Sequence, residues 1–265
     1  LQWSALGFDV EIEDETDRVA ALAVQGPTSC AALTAMGLEG LDTLKPFGMT
    51  GFEFEGETLL VSRTGFTGDL GYELFIDPGA AETLWDRLFD AGRPYLIKPF
   101  GSLALNLARI EAGFLQAGVD FVPAESAVRR GRSRSPFELG LDWLVNLDKP
   151  VFNGRRALLA ERKRGSRYRF AYLDVAGNKP AHHSFILRGG KQVGTVTSAA
   201  WCPTAKVNLA MAQLEMPHGK VGEELVVEIY HQRELQWHRT LAPCRVMEAA
   251  PFNPPRRRQT PAAPF

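Results

Sequence analysis

A loop with three glycines leads into a short aromatic strand, and its residue types are compatible with two kinds of chemistry. The loop reads TGFTGDLG, residues 64–71, and places Gly65, Gly68 and Gly71 between one strand and the next, YELFI. A phosphate loop would need a helix after the glycines and a Lys-Ser/Thr pair, and neither follows. The glycines therefore indicate either a hairpin loop with positive φ angles or a backbone that approaches a flat ligand closely.

The carboxylate that ends this loop is Glu73, between Tyr72 and Leu74. Strand alternation can point it to solvent, where most glutamates lie. The functional alternative is a buried acceptor for a planar pair of N–H donors, the geometry with which a carboxylate pairs with a guanidinium group. The residues alone leave both interpretations open.

Other residues with reactive side chains show no catalytic pattern. Arg109 and Glu111 stand at the end of an apolar helix, and a salt-bridged helix C-terminus explains them. The five histidines lack metal-ligand spacing, and the three cysteines lack a CxxC pair. No GxSxG motif occurs. The sequence therefore predicts no metal site and leaves the catalytic residues unknown.

Hydrophobic periodicity places the loop in a region where strands and helices alternate. Period-two patterns predict strands, and patterns of period 3.6 predict helices. The predicted elements are strands at residues 8–12, 18–26 and 72–76, a hairpin that turns at 55–57, and helices starting at Pro27 and covering 79–91 and 101–113.

The second half of the chain has a different pattern. A charged helix at residues 154–165 is followed by short strands at regular intervals, which favour a small barrel. We predict an α+β fold: a mixed antiparallel sheet and helix region followed by a C-terminal antiparallel β-barrel. The predicted borders are residues 1–140 for the first domain, 141–165 for a connecting segment, 166–250 for the barrel, and 251–265 for a proline-rich, disordered tail.

Composition excludes several classes of protein. The 30 Lys and Arg residues balance 31 Asp and Glu residues, so no basic field exists to hold a nucleic acid. No run of about 18 apolar residues is present to span a membrane, and the acidic start is unlike a secretion signal. Dispersed cysteines fit a reducing compartment, so we expect a cytoplasmic protein. The chain opens at Leu1 in what looks like the end of a helix, so we also expect that an N-terminal segment is missing.

Five segments together resemble the folate-dependent aminomethyltransferases, the family typified by the T-protein of the glycine cleavage system. They stand in the family's order and read ALAVQGPTS, SRTGFTGDLGYEL, ARIEAGF, FNGRRALL and GTVTSAAWCPTAKVNLAMA. The resemblance covers nearly the whole chain. Further strings such as PFNPPRRR look like a bacterial branch related to dimethylsulfoniopropionate demethylase and aromatic O-demethylases.

The resemblance implies tetrahydrofolate as cofactor, held in a channel among three small domains. In the family the glutamate of the GYE motif holds the pterin edge, and that role falls on Glu73. The pterin offers a ring N–H and an exocyclic NH₂ side by side, which one carboxylate can accept together. We expect Arg63, Phe66 and Tyr72 to line the same loop, and Trp201, from the SAAWCP turn of the barrel, to close over the ligand.

The chain departs from the T-protein pattern at three points. Phe66 stands where the T-protein usually has tyrosine, and Leu105 stands where it has an arginine. The family's key aspartate belongs to a segment N-terminal to Leu1. We therefore expect a one-carbon transferase, for methyl or aminomethyl groups, whose donor is a small molecule or a lipoyl carrier protein.

Two other functions fit the same residues. One is a non-catalytic folate-binding module, as in the family's iron–sulfur-assembly relatives, although their KGCYxGQE motif is absent here. The other is an inactive fragment that keeps the fold without the ligand.

Overall fold

A four-stranded antiparallel sheet and a closed six-stranded barrel are the two β-structures of this chain, in a computed structural model that describes Gly7 and residues 9–129 and 131–262. Contacts divide the chain into two compact units. The first comprises residues 1–100 and 254–265, and the second comprises residues 101–253. In the described residues no helix is both long and apolar enough to cross a membrane.

The sheet of the first unit has the strand order β1-β4-β3-β2, and every pairing is antiparallel. Its strands are β1 (Ala20–Gln25), β2 (Met49–Phe54), β3 (Glu57–Ser62) and β4 (Gly71–Ile76). A two-residue turn joins β2 to β3, with φ of 52° at Glu55 and 87° at Gly56. Two consecutive positive φ angles match the strand twist of a tight hairpin, so the predicted turn is confirmed.

Two helices pack on this sheet: α1 (Ser29–Ala35) and α2 (Ala81–Gly92). Leu33 of α1 and Leu84 of α2 are fully buried beside Leu59 and Leu74 of the sheet. Each helix therefore buries one apolar face, as the 3.6-residue period of the sequence predicted.

Residues 9–12 are not a strand, contrary to the prediction for residues 8–12, whose first residue lies outside the described part of the chain. Val10 and Ile12 are 57% and 42% exposed, and no described strand pairs with them. The prediction was wrong because alternation indicates which face of a strand is apolar, whereas a strand also needs a neighbour for its backbone groups.

The second unit contains the barrel, in which each strand pairs antiparallel with two neighbours in the order β10-β5-β8-β7-β6-β9. Its strands are β5 (Tyr168–Val175), β6 (Phe185–Arg188), β7 (Lys191–Cys202), β8 (Val207–Glu215), β9 (Glu224–Arg233) and β10 (Gln236–Met247). Inward residues such as Leu173, Ile186, Leu214 and Val227 are fully buried. The predicted C-terminal barrel and the α+β class are confirmed.

Helices α3 (Ser102–Glu111) and α4 (Arg155–Arg164) belong to the barrel's unit. Ile110 of α3 is buried against Leu209 and Met211 of β8, although we predicted residues 1–140 as a domain with the sheet. The apolar face of α3 is therefore covered by the barrel. The predicted borders at residues 140 and 165 remain a prediction.

The segment after the barrel is ordered as far as the structure describes it, whereas residues 251–265 were predicted to be disordered. Ala262 is 6% exposed and belongs to the core of the first unit, where its N–H donates to the Asp42 carbonyl at 2.7 Å. Composition indicated disorder because the segment has few apolar residues. Instead, hydrogen bonds and ion pairs with residues far away in the sequence hold it.

Candidate functional site

Glu73 is half-buried on β4, the central strand that pairs with both β1 and β3. Its register partners are Ala23 on β1 and Ser62 on β3, so the three side chains share one face of the sheet. The Thr64 hydroxyl donates a short hydrogen bond to Glu73 Oε2, and it lies 2.9 Å from the Ser62 hydroxyl. Among the described residues, no hydrogen bond to Oε1 is formed, so this oxygen can accept one from a ligand.

The glycine loop closes around the side chain of Gln25, the last residue of β1. A Cβ at Gly65 or Gly71 would stand 2.0 or 2.2 Å from Gln25 Oε1, so the Gln25 side chain would have to leave its present position. The Gln25 amide donates to the carbonyls of Thr64 at 3.3 Å and Tyr72 at 3.2 Å. Two of the three glycines are therefore explained by a close approach to a side chain of the protein itself.

Gln25 is a residue that the sequence reasoning missed. Its Oε1 also accepts from the Thr67 hydroxyl at 3.0 Å, so one amide is bonded to the start, middle and end of the loop. The third glycine, Gly68, has a φ of 80°, which is the positive angle expected of a turn. The only signal in the sequence was a polar residue at the end of an apolar strand, directly before Gly26.

Arg63 directly precedes this loop, but its guanidinium group points away from Glu73's partners and into protein contacts. It is 4% exposed, and Nη1 donates to the Leu44 carbonyl at 2.7 Å and to the Thr260 hydroxyl at 3.0 Å. Nη2 donates to the Gln259 carbonyl at 2.6 Å. Nε is buried and has no partner among the described residues. Arg63 therefore anchors the C-terminal segment.

Tyr72 lies in the core of the first unit, on the opposite face of β4 from Glu73. Its side chain is fully buried, and its hydroxyl donates to the Leu41 carbonyl at 3.2 Å. Burial raises the pKa of this phenol above its ordinary value. Its placement indicates a packing role, so we leave it out of the proposed ligand contacts.

The remaining two predicted residues lie on different units. Phe66 is half-buried on the glycine loop, in the same unit as Glu73. Trp201 is on β7 of the barrel, where it is 45% exposed and pairs with Asn208 of β8. The structure thus brings Phe66 and Glu73 into one loop region, and it places Trp201 in the other compact unit.

Two family models match the chain. A model described as the GCVT N-terminal domain matches residues 1–149, and one described as the glycine cleavage T-protein C-terminal barrel domain matches residues 169–244. The first match alone covers more than half of the 265 residues. The chain belongs to the glycine cleavage T-protein family.

Individual relatives agree with this assignment to the T-protein family. The chain is 32% identical over 220 residues to an aminomethyltransferase of Halothermothrix orenii, a match of 83% of this chain and 59% of the relative. It is 34% identical over 230 residues to an aminomethyltransferase of Moorella thermoacetica, which covers 86% of this chain and 60% of the relative. The chain therefore spans about three fifths of the length of these T-protein relatives.

A second kind of relative and a solved structure extend the comparison. The chain is 32% identical over 264 residues to a trimethylamine-oxide aldolase of Ruegeria pomeroyi, a match of 96% of this chain and 32% of that protein. The crystal structure of glycine cleavage system aminomethyltransferase T from Bartonella henselae matches with a TM-score of 0.75 and 26% identity. That match covers 94% of this chain and 63% of the T-protein.

In this T-protein family member, the end of α3 is fixed by a buried ion pair. Arg109 Nη1 lies 2.6 Å from Asp120 Oδ2, with side chains 1% and 0% exposed. Arg109 Nη2 donates to the Ser198 hydroxyl at 2.8 Å, and that hydroxyl donates to Asp120 Oδ1 at 2.7 Å. Every charge in the pair is therefore hydrogen-bonded, and the predicted salt-bridged helix end is confirmed for Arg109.

Glu111, at the last position of α3, binds the turn between β7 and β8. Its two carboxylate oxygens accept from the N–H and the hydroxyl of Thr204, each at 3.0 Å. Asn106, beside the Leu105 that replaces the T-protein arginine, accepts from Arg109 Nε at 2.9 Å. The residues around this departure from the T-protein pattern therefore hold the helix in place.

A cavity and a buried thiol in the barrel unit of this T-protein family chain lie apart from the predicted site residues. A cavity of about 580 Å³ lies in the barrel unit, lined in part by Asp174, Arg188, Glu224 and Arg245, and it contains none of the predicted site residues. The described residues contain no group of three or more His, Cys, Asp or Glu side chains placed to hold a metal. Burial raises the pKa of the Cys202 thiol to about 12, which makes it a poor nucleophile.

Proposed function

We propose that this chain binds tetrahydrofolate and is part of a one-carbon transferase that moves a methyl or aminomethyl group. The observation that carries the proposal is Glu73: a half-buried carboxylate on a central strand, beside a rigid loop, with one oxygen held by Thr64. Membership of the T-protein family supports the same conclusion, because the resemblance assigns the pterin-holding glutamate to the triplet GYE at residues 71–73.

The residues present fit a reduced pterin. Thr64 fixes Oε2 of Glu73, and Oε1 accepts no hydrogen bond from the described residues, so the carboxylate can receive two adjacent N–H donors. Phe66 adds a half-buried ring on the loop between Thr64 and Glu73. Tetrahydrofolate, when bound, supplies the nitrogen that receives the one-carbon unit.

The chain's own contribution to the reaction is therefore orientation. The glycine loop is fixed by Gln25, so Glu73 keeps its position before a ligand arrives, and little conformational entropy is lost on binding. A bound cofactor that is held in one orientation reacts faster, because its approach to the one-carbon donor is already restricted. No described residue is assigned as the catalytic acid or base.

The donor and the compartment are further proposals. The aminomethyltransferase relatives point to an aminomethyl group, presented on a lipoyl carrier protein, and the trimethylamine-oxide aldolase points to a small methylated amine derivative. We retain both donor classes. We place the protein in the cytoplasm, which the three free cysteines support.

Calorimetric titration with tetrahydrofolate under anaerobic conditions tests the binding. Glu73→Gln replaces one acceptor oxygen by a donor, so we expect the affinity to fall by about 10- to 100-fold, which corresponds to roughly 1.4–2.8 kcal/mol. Glu57→Gln on β3 is the matched control, since it removes the same charge at an exposed position. Equal affinity of Glu73→Gln and wild type would remove Glu73 from the site.

Incubation with each donor class separates transfer from binding alone. A transferase converts tetrahydrofolate to its 5-methyl or 5,10-methylene form in the presence of the correct donor, and Glu73→Gln slows that conversion. Because the resemblance places the family's key aspartate before Leu1, conversion is assayed with the full-length gene product. There, binding that depends on Glu73 without any conversion would instead identify a non-catalytic folate-binding module.

A further inference from the structure

The last described residues of the chain, Pro254–Ala262, form hydrogen bonds to the glycine loop and to the residue before it. We name this segment the C-terminal strap. It belongs to the same compact unit as the loop, although about 190 residues separate the contacting residues: 187 between Arg256 and Asp69, and 196 between Gln259 and Arg63. Residues so far apart in sequence meet because the fold returns the chain to this loop.

The first contact of the strap is a bidentate ion pair. Arg256 Nε and Nη2 donate to Asp69 Oδ1 and Oδ2, both at 2.6 Å. The Asp69 side chain is 12% exposed and that of Arg256 is 37% exposed, so the pair is partly shielded from water. Asp69 Oδ1 also accepts from the Leu70 N–H at 2.7 Å. The ion pair therefore fixes the backbone directly before β4.

The second contact fixes the other end of the loop. Arg63 donates to the Gln259 carbonyl at 2.6 Å and to the Thr260 hydroxyl at 3.0 Å. The next residue after Arg63 is Thr64, whose hydroxyl donates to Glu73. The strap is itself anchored in the core by Ala262. The loop is thus held at both ends by one segment.

We propose that the C-terminal strap is a positioning device for Glu73, with Arg256 and Asp69 as positioning residues. This inference rests on the proposed function, because it concerns the same carboxylate. Gln25 is hydrogen-bonded to Thr64, Thr67 and Tyr72, and the strap is bonded to Arg63 and Asp69 near the two ends of the loop. A ligand that binds Glu73 then meets a carboxylate that is already held in position. When the strap is released, ligand binding must also order the loop, and the affinity falls.

The ion pair lies at the surface of the loop, whereas the strap's own anchorage lies in the core. Loss of the Arg256 guanidinium therefore loosens residues 65–71 and leaves Ala262 buried. A role confined to stability would lower the melting temperature without changing ligand affinity in the folded protein. A positioning role changes the affinity and the local hydrogen exchange of the loop at temperatures where the protein is fully folded.

The test compares three variants of the whole chain. Arg256→Gln removes the charge, Arg256→Lys keeps the charge without the two-pronged geometry, and Arg258→Gln is the control at an exposed position of the same strap. We expect Arg256→Gln to weaken tetrahydrofolate binding about fivefold, Arg256→Lys to restore part of that loss, and Arg258→Gln to match wild type. Amides of residues 65–71 exchange faster in Arg256→Gln, by mass spectrometry without ligand.

The results separate this inference from the proposed function. If Glu73→Gln weakens tetrahydrofolate binding and Arg256→Gln does not, the positioning role of the strap is overturned and the proposed folate site is kept. Unchanged loop exchange in Arg256→Gln also overturns it. If Glu73→Gln binds as well as wild type, or wild type does not bind tetrahydrofolate, both the proposed function and the strap's role fail. Should Arg256→Gln not fold, the affinity and loop exchange of Asp69→Asn decide in the same way.

Discussion

Asp120 shows how much one buried side chain can hold together. Its carboxylate accepts four hydrogen bonds: from Arg109 and the Gln116 N–H on one oxygen, and from Thr197 and Ser198 on the other. No water is needed to satisfy it, since its lone pairs are occupied by protein donors. The reason for such complete pairing is the cost of an isolated charge in an apolar surrounding.

We expect Asp120→Ala to lower the free energy of unfolding by about 3 kcal/mol, because it leaves the Arg109 guanidinium buried without its counter-ion. Urea denaturation measures the loss. Asp174→Ala on β5 is the control, since Asp174 is exposed and its removal is expected to change stability by less than about 0.5 kcal/mol. A loss below about 1 kcal/mol for Asp120→Ala would show that the pair contributes little.

Among the elements, the loop between β3 and β4 gains its shape from the side chain it encloses. Most loops lie on the surface and are held at their ends alone, but this one surrounds the Gln25 amide. At two of its glycines, Gly65 and Gly71, an added Cβ would displace the Gln25 side chain from these hydrogen bonds. This arrangement provides a rigid support for Glu73.

We therefore expect Gly65→Ala to destabilise the chain by about 1–3 kcal/mol, since the added methyl group overlaps Gln25. The double variant Gln25→Ala/Gly65→Ala is predicted to be more stable than the sum of the two single changes implies, because the overlap is removed. Gly101→Ala, where a Cβ meets nothing within 4 Å, is the control. Additive effects of the two single changes would contradict the proposed overlap. Urea denaturation of the four variants measures both quantities.

At the scale of the whole molecule, buried titratable groups set the pH range of stability. Burial raises the pKa of the Cys244 thiol from 9.0 to about 12 and that of Cys202 by a similar amount. The unfolded chain ionises these thiols near pH 9 while the folded chain keeps them protonated, so their contribution is complete below pH 9 and is lost as the pH rises toward 12.

His182 limits the acid side of the range. Partial desolvation and the neighbouring His183 lower the pKa of its imidazole below 6.5 although the side chain reaches solvent, so at lower pH the unfolded chain takes up a proton before the folded chain does. Stability is therefore lost as the pH falls below 6.5. We predict the highest urea midpoint between about pH 6.5 and 9.

A variant with Cys202→Ala and Cys244→Ala is expected to lose less stability from pH 9 to 10.5 than wild type. An equal loss would refute the assignment of the alkaline loss of stability to these two thiols.

The sequence predicts those parts of the molecule whose signals lie within short stretches of the chain. The β2–β3 hairpin, both helices of the first unit and the barrel strands depend on periodicity and turn residues within short windows, and these predictions agree with the structure. Glu73 was singled out through the family resemblance, because the residues alone left a solvent-facing position open, and its role in ligand binding stays a prediction. Gln25 was missed because its partners lie about 40 residues away, and Asp120 was missed because two of its four donors, Thr197 and Ser198, lie 77 and 78 residues away.

The same limit explains the C-terminal segment. Its composition resembles that of a disordered tail, and nothing within the segment shows that Asp69 and Arg63 are placed to receive it. Trp201 was predicted to lie in the barrel, and the structure places it on β7 of the barrel unit. Its closure over the ligand stays a prediction. Long-range pairing is a property of the fold, so a single sequence shows it only through resemblance.

The most direct measurement is a crystal structure of this chain with tetrahydrofolate. The account predicts that the ring N–H and the exocyclic NH₂ of the pterin lie within about 3 Å of the two Glu73 oxygens, with Thr64 still bonded to the carboxylate. A pterin bound elsewhere, with Glu73 in contact with Thr64 and solvent alone, would contradict it.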